Sequence, residues 1–512
     1  MHLKGKTLTA GVTAACGMGF LLFGYDQGVM GGVIGSHTFV EQFNHPSALT
    51  QGLITGLYDV GCLIGSIACF FFSEPLGRKK SIFAGSVVVI LGTILQASAY
   101  TVGHLIAGRI VTGVGVGVNT SVVPTWQSEV CSASRRGQLV TIEAALIILG
   151  LAFSNWVCFG ASFHTSSFQW RGPIAMQCIF ALYLLVTVPF LVESPRWLAN
   201  HKSLDEAVKV IAQLKDRPED DPEVVSVATD IRQALEEEKS SGSWYEIFTN
   251  GGEQNFRRMM LGFGGLYMQQ MCGINSIGYY LPVILEQYIG LSSTLSLILA
   301  SVAATQFFLV SLTPIWFIEK AGRRNCMIWG AGAQAVVMAC LCIGLAIKSK
   351  ASLAMMVVMY YLFDDAFAVS FLNVPWMYAP EINSLKMRAK GGAVAAASNW
   401  LFNGIVVTVT PSGLENLGWR YYLIFVVLNI SFIPLVYFCY PETKGITLEE
   451  IDHIFLGKGH GLSALTQGVR ESIHAKKLVE RYGDHEADEE VPTFSVQLKD
   501  RPSSHVENNG DL

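Results

Sequence analysis

Apolar runs recur along the whole chain, separated by short polar connectors and by one long hydrophilic stretch. Twelve runs stand out, at roughly 8–34, 51–73, 81–100, 104–127, 138–160, 173–192, 257–286, 294–318, 326–347, 353–380, 390–411 and 419–440. A helix crosses a bilayer with about 20 apolar residues, so each run suffices for one crossing. The stretches 81–108, 294–318 and 326–347 hold no Asp, Glu, Lys or Arg at all, which a soluble core helix rarely achieves. The pattern predicts an all-α membrane protein with twelve transmembrane helices. The hydrophilic stretch 193–256 has another periodicity. Leu204, Ala207, Val208, Ile211 and Leu214 fall at i, i+3, i+4 and i+7 spacing, as on a half-buried surface helix. From Pro441 the chain is polar with both charge signs, and disorder is expected beyond about 459. Four parts follow: a six-helix bundle at 1–192, a helical linker at 193–256, a second bundle at 257–440, and a tail at 441–512.

Composition agrees, with only 15% charged residues and a mean hydropathy of +0.41. The first run is no cleavable signal peptide, being too long, without a small-residue cleavage site, and carrying Asp26. Most of the eleven cysteines lie inside apolar runs as small hydrophobes. They show no zinc spacing, so neither a metal site nor a cofactor is expected. The net charge of −5 says less than its distribution. With the N-terminus inside, one set of connectors holds Lys4, Lys6, Arg78, Lys79, Lys80, Arg135, Arg136, Lys320, Arg323, Arg324, Lys386, Arg388 and Lys390. The other holds Arg171, Lys348, Lys350 and Arg420. The bias places both termini and the 193–256 insertion in the cytoplasm. The sequons at Asn119 and Asn429 lie within runs, out of reach of glycosylation.

The two halves repeat one another. Glu74-Pro-Leu-Gly-Arg-Lys-Lys80 follows run 2 and Glu319-Lys-Ala-Gly-Arg-Arg324 follows run 8. Ser128-Glu129 with Arg135-Arg-Gly137 follows run 4, and Pro380-Glu381 with Arg388 follows run 10. Glu193-Ser-Pro-Arg196 follows run 6 and Pro441-Glu-Thr-Lys444 follows run 12. The pairs Gly77/Gly322, Glu129/Glu381 and Glu193/Glu442 lie 245, 252 and 249 positions apart. A near-constant offset over three motifs means two six-helix pseudo-repeats, with a solute site between them near mid-depth.

These motifs, with Glu193-Ser-Pro-Arg-Trp197, Gln269-Gln270, Gly273-Ile-Asn275 and Pro441-Glu-Thr-Lys-Gly445, resemble the sugar-porter family of the major facilitator superfamily over nearly all of 11–455. Phe23-Gly-Tyr-Asp-Gln-Gly28, Val123-Pro-Thr-Trp-Gln-Ser-Glu129 and Val374-Pro-Trp376 are similar to fungal members, including the glycerol–proton symporter and hexose and pentose carriers. The resemblance implies uptake of a monosaccharide or small polyol with protons, by alternating access in the plasma membrane, through a protein that works as a monomer among membrane lipids. Two other readings stand beside it: the same fold serving another solute, such as a quinate-like acid or a secondary metabolite, and a nutrient sensor that transports nothing. An enzyme and a nucleic-acid binder are not expected, since no nucleophile–base set, metal cluster or phosphate loop appears.

Asp26 lies deep in an apolar run, where a carboxylate is costly and normally has a partner and a task. Arg109, near the start of run 4, is the cation at membrane depth in the N-terminal half. Burial favours the protonated carboxyl and a nearby arginine the ionised one, so separating such a pair can move a proton. The resemblance assigns coupling to these two positions; a static packing pair is the alternative. The glycines flanking Asp26 are expected to let span 1 bend. Glu143 is a further candidate in proton coupling. Asp59 is read as a helix-packing hydrogen bonder, and Asp364 with Asp365 has no assigned role.

The solute site is expected on run 7, where Gln269, Gln270 and Asn275 supply amide donors and acceptors for hydroxyl groups. Gln270 and Asn275 stand about 140° apart around a helix, so they share a cleft only if the helix breaks, with Gly273 as the weak point. By resemblance these three, Trp376 and Asn399 contact sugar, and Tyr279 is a gating aromatic. The chain departs from the hexose and xylose pattern at Ala144 and Phe307, where relatives present a glutamine and an asparagine. Glu129, Arg136, Glu193, Arg196, Glu319, Arg323, Glu381 and Arg388 are the expected cytoplasmic gate. Glu74 and Pro75, where relatives carry an aspartate and a basic residue, are expected to weaken a local clamp between spans 2 and 11.

Overall fold

Two glycines in the left-handed region, Gly77 (φ +88°) and Gly322 (φ +86°), begin corresponding helices of the two halves. In this computed structural model each reverses the chain between adjacent membrane helices: Ala48–Leu76 into Arg78–Ala97, and Pro314–Ala321 into Arg323–Ile347. A carboxylate from the end of the same half then caps each new helix. Glu193 accepts from the backbone N–H groups of Arg78 (3.2 Å), Lys79 (3.2 Å) and Ser194 (2.9 Å). Glu442 accepts from those of Arg323 (2.8 Å), Thr443 (3.1 Å) and Lys444 (3.2 Å). The first turn of a helix leaves N–H groups unpaired and carries partial positive charge, so an anion there serves both needs. The glycines also make room, because a Cβ at Gly77 or Gly322 would lie 2.9 or 2.5 Å from the capping carboxylate.

The structure describes residues 4–131, 136–239, 248, 254–347, 349–384, 387–446, 451, 454–455, 469 and 472. Among them the secondary structure is helical, with no strand. The first six spans are Gly5–Ile34, Ala48–Leu76, Arg78–Ala97, Val102–Val130, Arg136–Ala161, and Phe168–Ala175 continued by Gln177–Thr187. The last six are span 7, Ser293–Ser311 extended by Pro314–Ala321, Arg323–Ile347, Lys350–Ala368 followed by Val374–Ile382, Arg388–Leu417 and Arg420–Cys439. Eleven of these spans hold a helical stretch apolar and long enough to cross a bilayer. Span 7 is the exception because it is broken, as Asn255–Met271, Ile274–Gly278 and Leu281–Gln287, with Gly273 at φ +98° in the first break. The expected weak point is therefore where the helix gives way.

Span 1 differs from expectation. It runs unbroken from Gly5 to Ile34, and its glycines serve close packing. A Cβ at Gly24 would lie 1.7 Å from the Ile147 carbonyl, and one at Gly28 2.2 Å from the Ser154 hydroxyl. Small residues let helix backbones approach where lipid offers no hydrophobic drive. Spans 1 and 5 use that device.

The buried apolar side chains form two large clusters, each drawn mostly from one half. The halves meet at the end away from the capping motifs. Gly52 and Gly56 of span 2 lie against Thr408 of span 11, and Gly31 of span 1 lies against the Tyr279 carbonyl of span 7. Trp156 of span 5 donates to Thr305 of span 8 at 3.0 Å. The linker forms helices Pro195–His201, Leu204–Lys215 and Pro222–Lys239, the second being the one its periodicity predicts. Ser194 and Ser203 cap the first two, and Trp197 ties the linker to the Glu74 carbonyl at 2.6 Å. Most of the tail expected to be disordered lies outside the described residues, while the Ser472 hydroxyl accepts the Glu442 N–H at 3.0 Å.

The capping geometry carries a stability prediction. Glu442→Ala should destabilise the purified protein by about 1–3 kcal/mol, since it leaves helix-end donors unpaired. Glu442→Gln, which keeps one acceptor, should fall between. Thermal unfolding in detergent measures both, and an unchanged midpoint for Glu442→Ala would remove the capping role.

Candidate functional site

The break at Gly273 turns Asn275 back toward Gln270, so the two side chains share one cluster. Asn275 Nδ2 donates to Gln270 Oε1 and to Asn403 Oδ1, each at 2.6 Å. Gln270 Nε2 donates to Asn399 Oδ1 at 2.5 Å and to Gln269 Oε1 at 3.4 Å. Gln269 is anchored on the carbonyls of Phe371 (2.8 Å) and Leu372 (3.1 Å), in the break between the two helices of span 10. Asn403 also donates to the Tyr279 hydroxyl at 3.5 Å. Four of the six expected solute residues, together with Asn403, are thus joined in one chain of amides, all buried except the half-buried Asn275, with Tyr279 at its end. Trp376 is 38% exposed and stands outside that chain. Asn403 escaped the sequence reading, although it lies four residues after Asn399, on the same helix face. Ala144 and Phe307 are both buried in the C-terminal apolar cluster, with Phe307 edge-on to Phe367 at 6.2 Å.

Asn403 leads into the N-terminal half, where its Nδ2 donates to Asp59 Oδ1 of span 2 at 2.9 Å. Next to Asp59 lies Tyr58, whose ring carries the Arg109 guanidinium at 4.3 Å from its centre. Arg109 Nε donates to the Ile54 carbonyl at 3.3 Å. Asp26, Tyr58, Asp59 and Arg109 are all fully buried. Among the described residues, neither Asp26 oxygen has a hydrogen-bond partner, nor do Arg109 Nη1 and Nη2 or Asp59 Oδ2. Asp26 and Arg109 therefore share one buried region and feel one another's charge without a direct hydrogen bond.

Glu143 is buried lower on span 5. Gly24 faces Ile147 and Gly28 faces Leu151, which puts Asp26 roughly 9 Å of helix rise from the Glu143 level. The structure does not bring Glu143 into the Asp26–Arg109 group. Of the acidic pair, Asp365 accepts from Gln306 at 2.7 Å, while Asp364 is buried on the span 10 face toward Leu151 and Asn155. A cavity of about 310 Å³ opens at the end away from the capping motifs, lined by His45, Gln51, Tyr280, Gln287 and Glu415 among others. Tyr280 donates to the Val407 carbonyl at 2.8 Å on its floor.

At the motif end the charges pair within each half. Arg78 makes a two-pronged bond to Glu129 (2.9 and 2.8 Å) and a third to Glu74 (3.0 Å). Arg323, its counterpart one repeat later, pairs with Glu381 (3.0 Å) and Glu319 (3.2 and 3.3 Å), and Thr443 donates to Glu381 at 2.7 Å. Glu193, expected in the gate, instead caps a helix, and burial pushes its carboxyl above the usual carboxylate range against the pull of its N–H donors. Arg388 donates to the Pro380 carbonyl at 3.1 Å. Arg196 sits in the linker helix Pro195–His201, and the side chain of Arg136 lies outside the described residues. Arg78 is the hub that the reading of the gate missed; the repeat offset, which sets it opposite Arg323, was the available signal. Glu74 holds both Arg78 and the linker's Asn200 (3.3 Å).

The model of the sugar (and other) transporter family matches residues 11–455. An MFS-type transporter of Aspergillus oryzae is 38% identical over 88% of this chain and 86% of its own length. A sugar transporter of Saccharomyces cerevisiae is 38% identical over 94% of this chain and 87% of its own. A high-affinity glucose transporter of Kluyveromyces lactis is 30% identical over 85% and 83%. Among solved structures, the proton:xylose symporter bound to 6-bromo-6-deoxy-D-glucose superposes with a TM-score of 0.74 at 23% identity, covering 88% of this chain and all of the other. The twelve-span major facilitator fold is common to both. The protein is a multi-pass membrane transporter and not an enzyme, and it belongs to the sugar-porter family of the major facilitator superfamily.

Proposed function

We propose that the chain takes up a monosaccharide or small polyol together with protons, binding the solute at the amide chain of spans 7 and 11. The observation that carries this reading is the continuity of that chain with the buried acid group: Gln270, Asn275 and Asn403 are hydrogen-bonded in series, and the series ends on Asp59 beside Arg109. A polyhydroxylated solute loses many water hydrogen bonds on entering a membrane protein, and amides return donors and acceptors together. The sugar and glucose transporters among the relatives support this solute class.

In this reading the motif end faces the cytoplasm, as its excess of Lys and Arg favours, and the plasma membrane is the site. The glycine contacts between the halves then close the external side, and the 310 Å³ cavity is what remains of the outer vestibule. Protonation of Asp26 from outside releases Arg109 and permits closure around the solute, and inward opening returns the proton. Each charge moved across the membrane is worth about 2.3 kcal/mol per 100 mV, enough to drive accumulation. The intra-half pairs of Arg78 and Arg323 hold each bundle rigid while the bundles rock. Ala144 and Phe307 favour a second reading, another small solute on the same fold such as a quinate-like acid or a secondary metabolite, because both are apolar and buried.

Asp26→Asn should reach the membrane and lose uphill, pH-dependent uptake in a cell lacking its own carriers; accumulation as in the parent would end the proton-coupling assignment. Asn275→Ala removes two amide bonds and should raise the half-saturation concentration roughly 5- to 150-fold, at about 1–3 kcal/mol. Uptake of radiolabelled glycerol, hexoses, pentoses and quinate separates the two solute readings, since transport of quinate alone would establish the second.

A further inference from the structure

Among the described residues, Asp59 is the one carboxylate of the N-terminal half that the amide chain of the C-terminal half grips directly. Its Oδ1 accepts from Asn403 at 2.9 Å, while its Oδ2 is buried without a partner. Arg109 of span 4 acts on it by charge, and the same guanidinium acts on Asp26 of span 1. Tyr279 and Tyr280 of span 7 are the other titratable groups facing it, with Tyr58 and Cys62 on its own helix. Two fully buried carboxyl groups therefore share a single arginine. With both ionised the group is one negative charge in excess, and a net charge at membrane depth is costly, so one proton balances it. Interacting carboxyls hold such a proton jointly.

We infer that Asp59, through Asn403, is the positioning residue by which solute binding is sensed at the proton site. The reasoning rests on the proposed solute site. The Asn403 amide nitrogen has two N–H donors, one bonded to Asp59 at 2.9 Å and the other reaching the Tyr279 hydroxyl at 3.5 Å, and its oxygen accepts from Asn275. A solute hydroxyl that bonds to this amide competes with that arrangement, and by turning the amide it takes the donor from Asp59. A buried carboxylate without a donor is costly as an ion, so it draws either the shared proton or the Arg109 guanidinium. If the guanidinium moves, Asp26 is left to hold the proton. In both cases a proton taken from the external solution is retained when solute is bound, and it leaves to the inside once the solute has gone. Linkage is reciprocal: solute favours proton, and proton favours solute by the same factor.

The test is the pH dependence of apparent affinity in intact cells lacking endogenous carriers, with radiolabelled D-glucose, D-xylose and glycerol run in parallel. For the parent protein the half-saturation concentration should fall as external pH is lowered, by at most about tenfold per pH unit for one linked proton. Asp59→Asn keeps the shape and removes the charge, so its half-saturation concentration should be flat with pH and its accumulation ratio should fall to unity. Asn403→Ala cuts the link at the other end and should flatten the profile as well; it decides the matter if Asp59→Asn fails to reach the membrane. A parental pH slope retained in these variants, with only the maximal rate reduced, marks a static bridge and overturns the inference. A parent that neither accumulates any of the three solutes nor responds to pH overturns the proposed function instead.

Discussion

The guanidinium of Arg109 lies fully buried on the face of Tyr58, with two of its nitrogens donating to nothing among the described residues and two carboxyl groups in range of its charge. Removing an arginine from water and leaving it only partly satisfied costs several kcal/mol, and a fold keeps such a group where the missing bonds are made in another state. Much of the architecture can be understood from this constraint. Spans 1, 2 and 4 must pack closely enough to exclude solvent around the group, and glycines provide the approach: Gly61 and Gly113 between spans 2 and 4, Gly24 and Gly28 between spans 1 and 5. The N-terminal half is built tightly around a charge, whereas the C-terminal half is built with breaks.

Those breaks have the opposite purpose. Span 7 is interrupted at Gly273 and span 10 between Ala368 and Val374, and at each break polar groups are freed to face neighbours. Gln269 takes up the freed carbonyls of Phe371 and Leu372, which leaves Gln270 and Asn275 to bond with span 11. Irregular backbone at membrane depth survives only where protein or a polar cavity satisfies it. The amide chain and the helix breaks are thus one feature.

How much of this could be read from the sequence depended on the range of the interaction. The spans, the linker helix at Leu204–Lys215 and the break at Gly273 follow from periodicity and local chemistry, and all three appear in the structure. Asp26 and Arg109 could be singled out because charge in an apolar run is conspicuous on its own. Asn403 had only its spacing from Asn399 to mark it, since an asparagine in a membrane helix is ordinary until its partner is known. Glu193 shows the same limit from another side. The repeat marked it as important, but only the fold shows that its task is to cap a helix more than a hundred residues earlier in the chain. The glycines of span 1 were legible as unusual, yet a bend and a close contact have the same sequence signature, and the neighbouring helix decides between them.

The seam between the halves has a property that bears on how it opens. Around Gly31, Gly52 and Gly56 it consists of glycines set against backbone carbonyls and a threonine, contacts that rest on dispersion forces and lose little each when parted. Such a seam separates easily but carries no information about what is bound. Polar bonds across it, Trp156 to Thr305 and Asn403 to Asp59, behave differently, because each leaves a donor or acceptor stranded when the halves part. Trp156 lies partly exposed and can find other partners. Asp59 is buried and cannot, so parting the seam there strands an acceptor unless a proton or Arg109 arrives. Opening the seam and changing the charge state beside it are then one physical event, which is what the proposed proton coupling requires.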